Sequence, residues 1–283
     1  MTGSLGRTRS TVSGPAAVAY YAVLSVVVVA ALGPALWVML SSFKTGPQIL
    51  SPTGSFLPDP PTIQGYRNVF IGIQLQQYLL NALVYAVGGT IGALAAGLLA
   101  AYPTARLRFP LRRLFTVAFS TALAIPIIGL IVPEFFIMRD LGLFNRRIGL
   151  VLFYAAVFFP ISFVIQRAFL ASMPYEIEEA AILDGAGYFT IVGRIIAPLA
   201  VPGLVTVAAL VFIYIWNEYF FAQLLTLSFN NMNIQLALAQ FRSTFERDNT
   251  AALAGATLAM LVPIGLFLFL QRYVIAGLTT GFR

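Results

Sequence analysis

The chain has 283 residues, of which 59% are hydrophobic and 10% charged, and it carries a formal net charge of +7 with a mean hydropathy of +0.88. A soluble domain with a polar surface does not have this composition, so we predict a membrane protein. The lack of His and Cys removes the usual ligands of zinc, copper and iron and the usual activated nucleophiles, so we expect no metal site and no catalytic residue. The single lysine, Lys44 in SSFKTG, lacks the preceding glycine of a phosphate-binding loop, and the basic soluble face that nucleic acid requires is missing.

Six long apolar stretches with few charged side chains follow one another along the chain. A membrane-spanning helix needs ~20 apolar residues, and these stretches predict spans at residues 16–42, 77–103, 113–138, 147–170, 199–227 and 250–273. The runs are continuous rather than alternating, which favours helices because a helix satisfies its own backbone in lipid. The predicted fold class is therefore all-α, a polytopic membrane protein with six transmembrane helices. Spans three, four and six are expected to be interrupted by Pro126, Pro133, Pro160 and Pro263.

The predicted organisation is one membrane domain, residues 16–283, after a cytoplasmic tail, residues 1–15. The first apolar run is longer than the ~7 to 15 residues of a signal-peptide core, so we expect it to be retained. Six spans place both termini on one side, and the distribution of cations predicts that this side is cytoplasmic. Ten of the 17 cations fall there: Arg7, Arg9, Arg106, Arg108, Arg112, Arg113, Arg167, Arg194, Arg272 and Arg283.

An unusual concentration of acid lies between spans four and five. Four of the ten carboxylates fall within nine residues, at Glu176, Glu178, Glu179 and Asp184. Pro174 suits a helix start and Gly185 a helix end, so a short helix is predicted over residues 174–184. A helix lying on anionic lipid would be basic, which leaves two interpretations, a solvated turn or a helix docked in another protein. We call residues 172–198 the acidic loop.

The sequence EAAILDGAGYFTIVGRIIAP within this loop resembles the EAA loop of ATP-binding-cassette importer permeases. That motif reads Glu-Ala-Ala, three residues, Gly, nine residues, Ile, one residue and usually Leu-Pro, and Ala197 replaces its leucine. The residues in register are Glu179, Ala180, Ala181, Gly185, Ile195 and Pro198. The resemblance extends over most of the chain and is closest to the sugar-importer branch, with similar stretches at AYPTARLRFP, LGLFNRRIGLVL, WNEYFFA and QRYVIAGLTTGFR.

The resemblance implies the type I importer permease fold, an inner-membrane location and a set of partners. The partners are a second, homologous but different permease subunit, a dimer of cytoplasmic ATPase subunits, an external solute-binding protein or lipoprotein, and membrane lipid. ATP and Mg²⁺ would bind the ATPase, so this chain itself would hold no cofactor. In the docked loop Glu178, Glu179 and Asp184 would meet polar or basic groups of the ATPase, Ala180 and Ala181 would allow close approach, and Gly185 would turn the chain.

The resemblance also implies a function, which is to form half of the translocation path for a sugar or related solute. Candidate path residues are Trp216, Asn217 and Glu218 in span five, since an ionisable group at membrane depth is costly and suggests function. Glu134, near the outer end of span three, is expected to pair with Arg139. The loops around Asn145 and Asn231, together with residues 44–76, are expected to form the outer face. A secondary transporter and a non-transporting scaffold are the alternatives.

Overall fold

Helices make up the architecture in the part of the chain that the structure describes. This computed structural model describes the backbone of residues 15–51, 55–244 and 249–280, and the side chains of residues 17–51, 55–240 and 249–271. Residues 1–14 of the predicted tail and the side chains of Arg7, Arg9, Arg242, Arg247, Arg272 and Arg283 therefore lie outside the described residues. The α-helices of the first half are α1 (Pro15–Ser41), α2 (Gly46–Leu50), α3 (Gln64–Arg67), α4 (Leu75–Arg106), α5 (Arg112–Thr121), α6 (Ile131–Asp140) and α7 (Arg147–Val157).

The second half continues in the same way. Its α-helices are α8 (Phe159–Ser172), α9 (Glu176–Leu183), α10 (Tyr188–Thr190), α11 (Ala197–Leu199), α12 (Val201–Trp216), α13 (Phe220–Leu225), α14 (Ile234–Thr244) and α15 (Asn249–Thr280). Short 3₁₀ segments occur at Ala122–Ala124, Ile127–Leu130 and Phe229–Asn231, and π-helical segments at Asn68–Gly72 and Ile191–Ile196.

In the part of the chain that the structure describes, three straight helices are long and apolar enough to cross a membrane, and the number of spans rises to six when each of three bent helix pairs is counted as one, in agreement with the predicted fold class. The straight spans are the helices α1, α4 and α15. The bent spans are pairs of helical segments that meet at 98°, 45° and 78°, namely Arg112–Ala124 with Ile127–Asp140, Arg147–Val157 with Phe159–Ser172, and Tyr188–Leu199 with Val201–Trp216.

The bends fall beside prolines, because proline has no amide hydrogen to donate and its ring clashes with the preceding turn. Pro126 lies in the 98° break of span three, and Pro160 lies in the first turn of α8 after the 45° break of span four. Both interruptions were predicted. Pro263 behaves differently, since α15 continues through it, so the predicted interruption of span six is wrong.

The fifth span also differs from its predicted range of 199–227. Its membrane helix α12 ends at Trp216, and residues 217–219 leave the helix before α13 begins at Phe220. At the other end a 78° bend separates α12 from the segment Tyr188–Leu199. The apolar run that was predicted as one span therefore contains more than one helix.

Helix α4 lies at the centre of the molecule and packs against α7, α8 and α12. Small residues permit this packing, because a side chain at their positions would meet the neighbouring helix. An added Cβ at Gly92 would lie 2.6 Å from the Cβ of Ala155 in α7, and one at Gly97 would lie 2.7 Å from the Oγ of Ser162 in α8. By contrast α1 packs only against α15 among its closer neighbours, and its most apolar stretch is 0% buried.

Gly92→Ala tests this close packing. The methyl-to-methyl clash with Ala155 cannot be relieved by rotating a side chain, so α4 and α7 must separate, at a cost of ~1 to 3 kcal/mol. The matched control is Gly265→Ala in α15, where nothing lies within 4 Å of the added Cβ. We expect thermal unfolding in detergent micelles to show a lowered Tm for the first variant only. Equal Tm values for both variants would contradict the packing described here.

Candidate functional site

The acidic loop begins with helix α9, close to the range that the sequence predicted. Glu176, Glu178 and Glu179 all lie in its first turn, where negative charge interacts favourably with the helix dipole. The helix ends at Leu183, and Gly185, just after the C-cap residue Asp184, has a φ of +80°, a left-handed conformation that suits glycine. The amide of Gly185 donates to the carbonyl of Ile182 at 3.0 Å, and the amide of Ala186 donates to that of Ala181 at 3.0 Å. This is a Schellman ending, as the Gly185 position led us to expect.

Glu178 points into the protein rather than outward. Its side chain is 7% exposed, and its Oε1 lies 3.0 Å from Nε of Arg106, whose side chain is 0% exposed. The Nε–H is not aligned with the oxygen, so the contact is an ion pair more than a hydrogen bond. The hydroxyl of Tyr102 donates to the other carboxylate oxygen at 3.0 Å. A charge of its own chain therefore already neutralises Glu178, and its contact with a partner stays a prediction.

Arg106 also holds the start of the loop. Its Nη2 donates to the carbonyl of Met173 at 2.7 Å, and its guanidinium carbon lies 4.2 Å from the ring centroid of Tyr175. Nearby, Arg112 donates to the carbonyls of Thr104 at 2.8 Å and Ala105 at 3.1 Å. The end of span two and the acidic loop thus lie at one end of the molecule, as their placement on the same side of the membrane requires.

The two alanines of the EAA motif have different surroundings. Ala181 is 7% exposed and belongs to a small core with Ile191, Val192 and Ile196, whereas Ala180 is exposed. Of the later motif residues, Ile195 packs against the same core and Pro198 is exposed. Ala180 is therefore the alanine that is free to touch another protein.

The acidic loop combines exposed carboxylates with large exposed apolar side chains. Leu183 is 88% exposed, Phe189 80% and Ile182 60%, while Glu179 and Asp184 are exposed beside them. We call Glu179, Ala180, Ile182, Leu183, Asp184 and Phe189 the docking face. Exposed apolar groups of this size, rimmed by charge, are typical of a protein interaction site.

At the opposite end the loops around Asn145 and Asn231 meet, as the sequence analysis expected for the outer face. Asn145 has a φ of 56°, and its Oδ1 accepts the amides of Leu227 and Ser228, both at 3.0 Å. The Nδ2 of Asn231 donates to the backbone carbonyl of Asn145 at 2.6 Å. We call Asn145 and residues 227–232 the outer hub.

Helix α4 is bonded to this hub by three side chains that the sequence analysis did not single out. Asn81 donates to the carbonyls of Asn230 at 2.8 Å and Met232 at 2.9 Å. Tyr85 donates to the carbonyl of Asn231 at 2.6 Å, and Gln77 to that of Asn230 at 3.2 Å. A lone Asn or Tyr in an apolar run was the available signal, but it does not reveal a partner about 150 positions later in the chain.

The three candidate path residues of span five have separate surroundings. Trp216 is 1% exposed, stacks on Phe212 with ring centroids 5.8 Å apart and donates its indole N–H to the carbonyl of Ala259 at 3.1 Å. It anchors α12 to α15, so in this conformation it cannot line a path. Asn217 is exposed and donates to the carbonyl of Ile213 at 2.9 Å, one turn earlier in its own chain.

The carboxylate of Glu218 accepts hydrogen bonds from the first turn of α13. Its carboxylate accepts the amides of Phe221 at 2.8 Å and Ala222 at 3.0 Å, and the hydroxyl of Tyr154 at 2.6 Å. Its backbone carbonyl accepts Nδ2 of Asn233 at 2.7 Å. The broken span thus has an acceptor for amides that lipid would leave unpaired.

The predicted pairing of Glu134 with Arg139 is wrong. Arg139 lies 2.8 Å from Oδ1 of its neighbour Asp140 and stacks on the ring of Phe136 at 4.7 Å. The carboxylate of Asp140, which is exposed together with Arg139 at the end of α6, binds the guanidinium in place of Glu134.

A helical membrane protein with three straight and three bent spans, a docking face at one end and a polar hub at the other has the organisation of a transport permease. Residues 88–280 match the family described as "Binding-protein-dependent transport system inner membrane component". The chain belongs to this family and is a multi-pass inner-membrane permease subunit of an ATP-binding-cassette importer. The findings support neither of the alternatives, the secondary transporter or the scaffold.

Individual relatives agree over almost their whole length. The trehalose transport system permease protein SugB of Mycobacterium tuberculosis is 37% identical over 266 residues, covering 93% of this chain and 96% of the relative. The diacetylchitobiose uptake system permease protein NgcG of Streptomyces coelicolor is 32% identical over 250 residues, covering 88% and 82%. A solved bacterial ABC transporter involved in the import of the acidic polysaccharide alginate matches with a TM-score of 0.78 and 24% identity, covering 91% of this chain and 96% of that one. That match shows that the fold is shared.

Gly185→Ala tests the ending of α9. An alanine at a φ of +80° is strained by ~1 to 2 kcal/mol, although nothing lies within 4 Å of the added Cβ. The control is Gly187→Ala, where the space is equally open but φ is −78°. We expect hydrogen exchange of the Ala186 amide to accelerate by ~5- to 30-fold in the first variant and to stay unchanged in the second. Equal exchange in both would argue against the left-handed ending.

Glu218→Ala tests the role of the carboxylate in span five. The substitution leaves two amides and the Tyr154 hydroxyl without an acceptor, and each hydrogen bond to a charged group contributes ~1.5 to 3 kcal/mol. Tyr154→Phe removes one of the three bonds and should lower the Tm less. The exposed control Asn217→Ala should leave the Tm almost unchanged. If Asn217→Ala lowered the Tm as much as Glu218→Ala, the carboxylate would not be the structural acceptor described here.

Proposed function

We propose that this chain forms one half of a permease that imports a sugar or related solute, and that its acidic loop receives the motion of a separate ATPase. The observation that carries the proposal is the docking face, where Glu179 and Asp184 lie among exposed apolar side chains at the end of the molecule that holds span two and the acidic loop. The solute class is supported by the names of relatives, which are transport or uptake permeases for trehalose, diacetylchitobiose and sulfoquinovosyl glycerol.

The docking face fits a groove in a protein better than a lipid surface. Leu183 and Phe189 would be covered in an apolar groove, and Glu179 and Asp184 would meet basic groups at its rim. Anionic headgroups would repel the same carboxylates. Because Glu178 is already neutralised by Arg106, its proposed part in the coupling loop is to hold α9 in place, while the outward carboxylates make the contact.

The acidic loop is proposed to face the cytoplasm. Arg106, Arg108, Arg112 and Arg113 lie at this end, and Arg194 follows within the loop. Such an excess of arginine beside the spans favours the cytoplasmic side. With six spans, both termini would then be cytoplasmic as well.

The remaining partners follow from the same arrangement. The outer hub would face an external solute-binding protein, consistent with the description of the family as binding-protein-dependent. The other half of the path would come from a homologous but different permease subunit. ATP and Mg²⁺ would bind only the ATPase. Among the candidate path residues, Trp216 is packed against α15 and Glu218 accepts the amides of α13. Asn217 has an exposed side chain without such a role, so we assign it to the path.

Glu179→Lys tests docking directly. The reversed charge should oppose the basic rim of the ATPase, and we expect co-purification of ATPase and solute uptake both to fall by about tenfold or more. Asp59→Lys makes the same kind of charge change at an exposed carboxylate outside the acidic loop and should have a much smaller effect.

The measurements are quantitative pull-down from mild detergent and uptake of radiolabelled disaccharide by reconstituted vesicles. Undiminished ATPase association and uptake in Glu179→Lys would count against the docking role. Co-purification of no ATPase with the unmodified chain would refute the proposed function as a whole.

A further inference from the structure

Helix α4 is an unbroken helix that is bonded at both of its ends to other functional parts of the chain. It runs from Leu75 to Arg106, and its 32 residues extend over about 48 Å. Its inner end carries Tyr102 and Arg106, which contact Glu178 of the acidic loop. Its outer end carries Gln77, Asn81 and Tyr85, which donate to the outer hub.

The inner contact, which we call the inner clamp, consists of Tyr102, Arg106 and Glu178. All three residues are buried, with exposed fractions of 2%, 7% and 5% when backbone and side chain are taken together. A buried charge that loses its partner is costly, so the three groups must stay together when the surrounding helices move. Arg106 also bonds to the carbonyl of Met173, so both the helix α9 and the chain leading into it are attached to α4.

The covalent connections of the acidic loop are less direct. Before the loop, α8 is joined to α7 through the 45° bend, and Met173 to Tyr175 leave the helix. After the loop, a 78° bend separates Tyr188–Leu199 from α12. Bends and non-helical junctions are where backbone angles change most easily, so they absorb displacement that a straight, packed helix transmits.

We propose that α4 carries displacement of the acidic loop to the outer hub, and that Arg106 and Glu178 are positioning residues for the coupling of ATP hydrolysis to transport. This inference rests on the proposed function, since it assumes that an ATPase moves the acidic loop. The inner clamp makes α9 and α4 move as one body. The bonds from Asn81 and Tyr85 then shift the surface on which the solute-binding protein would sit.

A double-mutant cycle separates this role from simple stabilisation. Arg106→Met or Glu178→Gln alone leaves one buried charge unpaired, whereas the double variant leaves none. If the pair only stabilises the fold, the double variant should regain both assembly and transport. We expect instead that the double variant assembles with ATPase as the unmodified chain does, but that solute transported per ATP hydrolysed falls by about tenfold. A double variant with the original ratio would overturn the proposal.

A distance measurement tests the same proposal without disturbing the clamp. The sequence contains no cysteine, so Leu99→Cys on α4 and Glu176→Cys on α9, both exposed positions, give a unique pair of spin labels. We expect the distance between the labels to be the same in the nucleotide-free and ATP-bound complex. A distance that changes with nucleotide would show that α9 moves relative to α4 and would overturn the inference. Failure of the unmodified chain to bind ATPase would instead refute the proposed function.

Discussion

Hydrocarbon offers no hydrogen-bond partner to a backbone amide, and this constraint governs how the spans of the protein can bend. Where α12 stops at Trp216, Glu218 accepts the first free amides of α13 and Asn233 donates to the carbonyl of Glu218. In the connection between spans three and four, Oδ1 of Asn145 accepts hydrogen bonds from the two amides that follow α13, those of Leu227 and Ser228. The polar residues of the apolar runs are therefore concentrated where the helices break, and a carboxylate at such depth is here first of all a structural acceptor.

The same logic divides the carboxylates of the acidic loop into two groups. Glu178 is enclosed with Arg106 and Tyr102, and the charge is satisfied within the chain. Glu179 and Asp184 remain in contact with solvent. Of these neighbouring acids one is thus buried and two are exposed, and this arrangement fixes the helix while it leaves charge available on the surface of the loop.

The length of the apolar runs was enough to predict six spans, because bilayer thickness sets the length of a spanning helix. The ending at Gly185 was also predictable, since it depends on the chain immediately beside it. The partners of Glu178 could not be predicted, because Tyr102 and Arg106 come more than 70 positions earlier in the chain. The sequence analysis used Arg106 only as one of the cations that indicate the cytoplasmic side. For the same reason the sequence placed Glu218 in a path, when Tyr154, 64 positions away, helps to hold it. The predicted pair of Glu134 and Arg139 does not form because Asp140, the next residue in the chain, binds Arg139 instead.

Leu183 and Phe189 are largely uncovered on the surface of this single chain. Covering a leucine or phenylalanine side chain contributes about 1.5 to 3 kcal/mol, so in the proposed complex this free energy is gained only when the ATPase arrives. A copy of the chain that has not yet bound its ATPase keeps these two apolar side chains uncovered and available for non-specific contacts. Its solubility and lifetime in the cell should consequently depend on how promptly it meets its ATPase after synthesis.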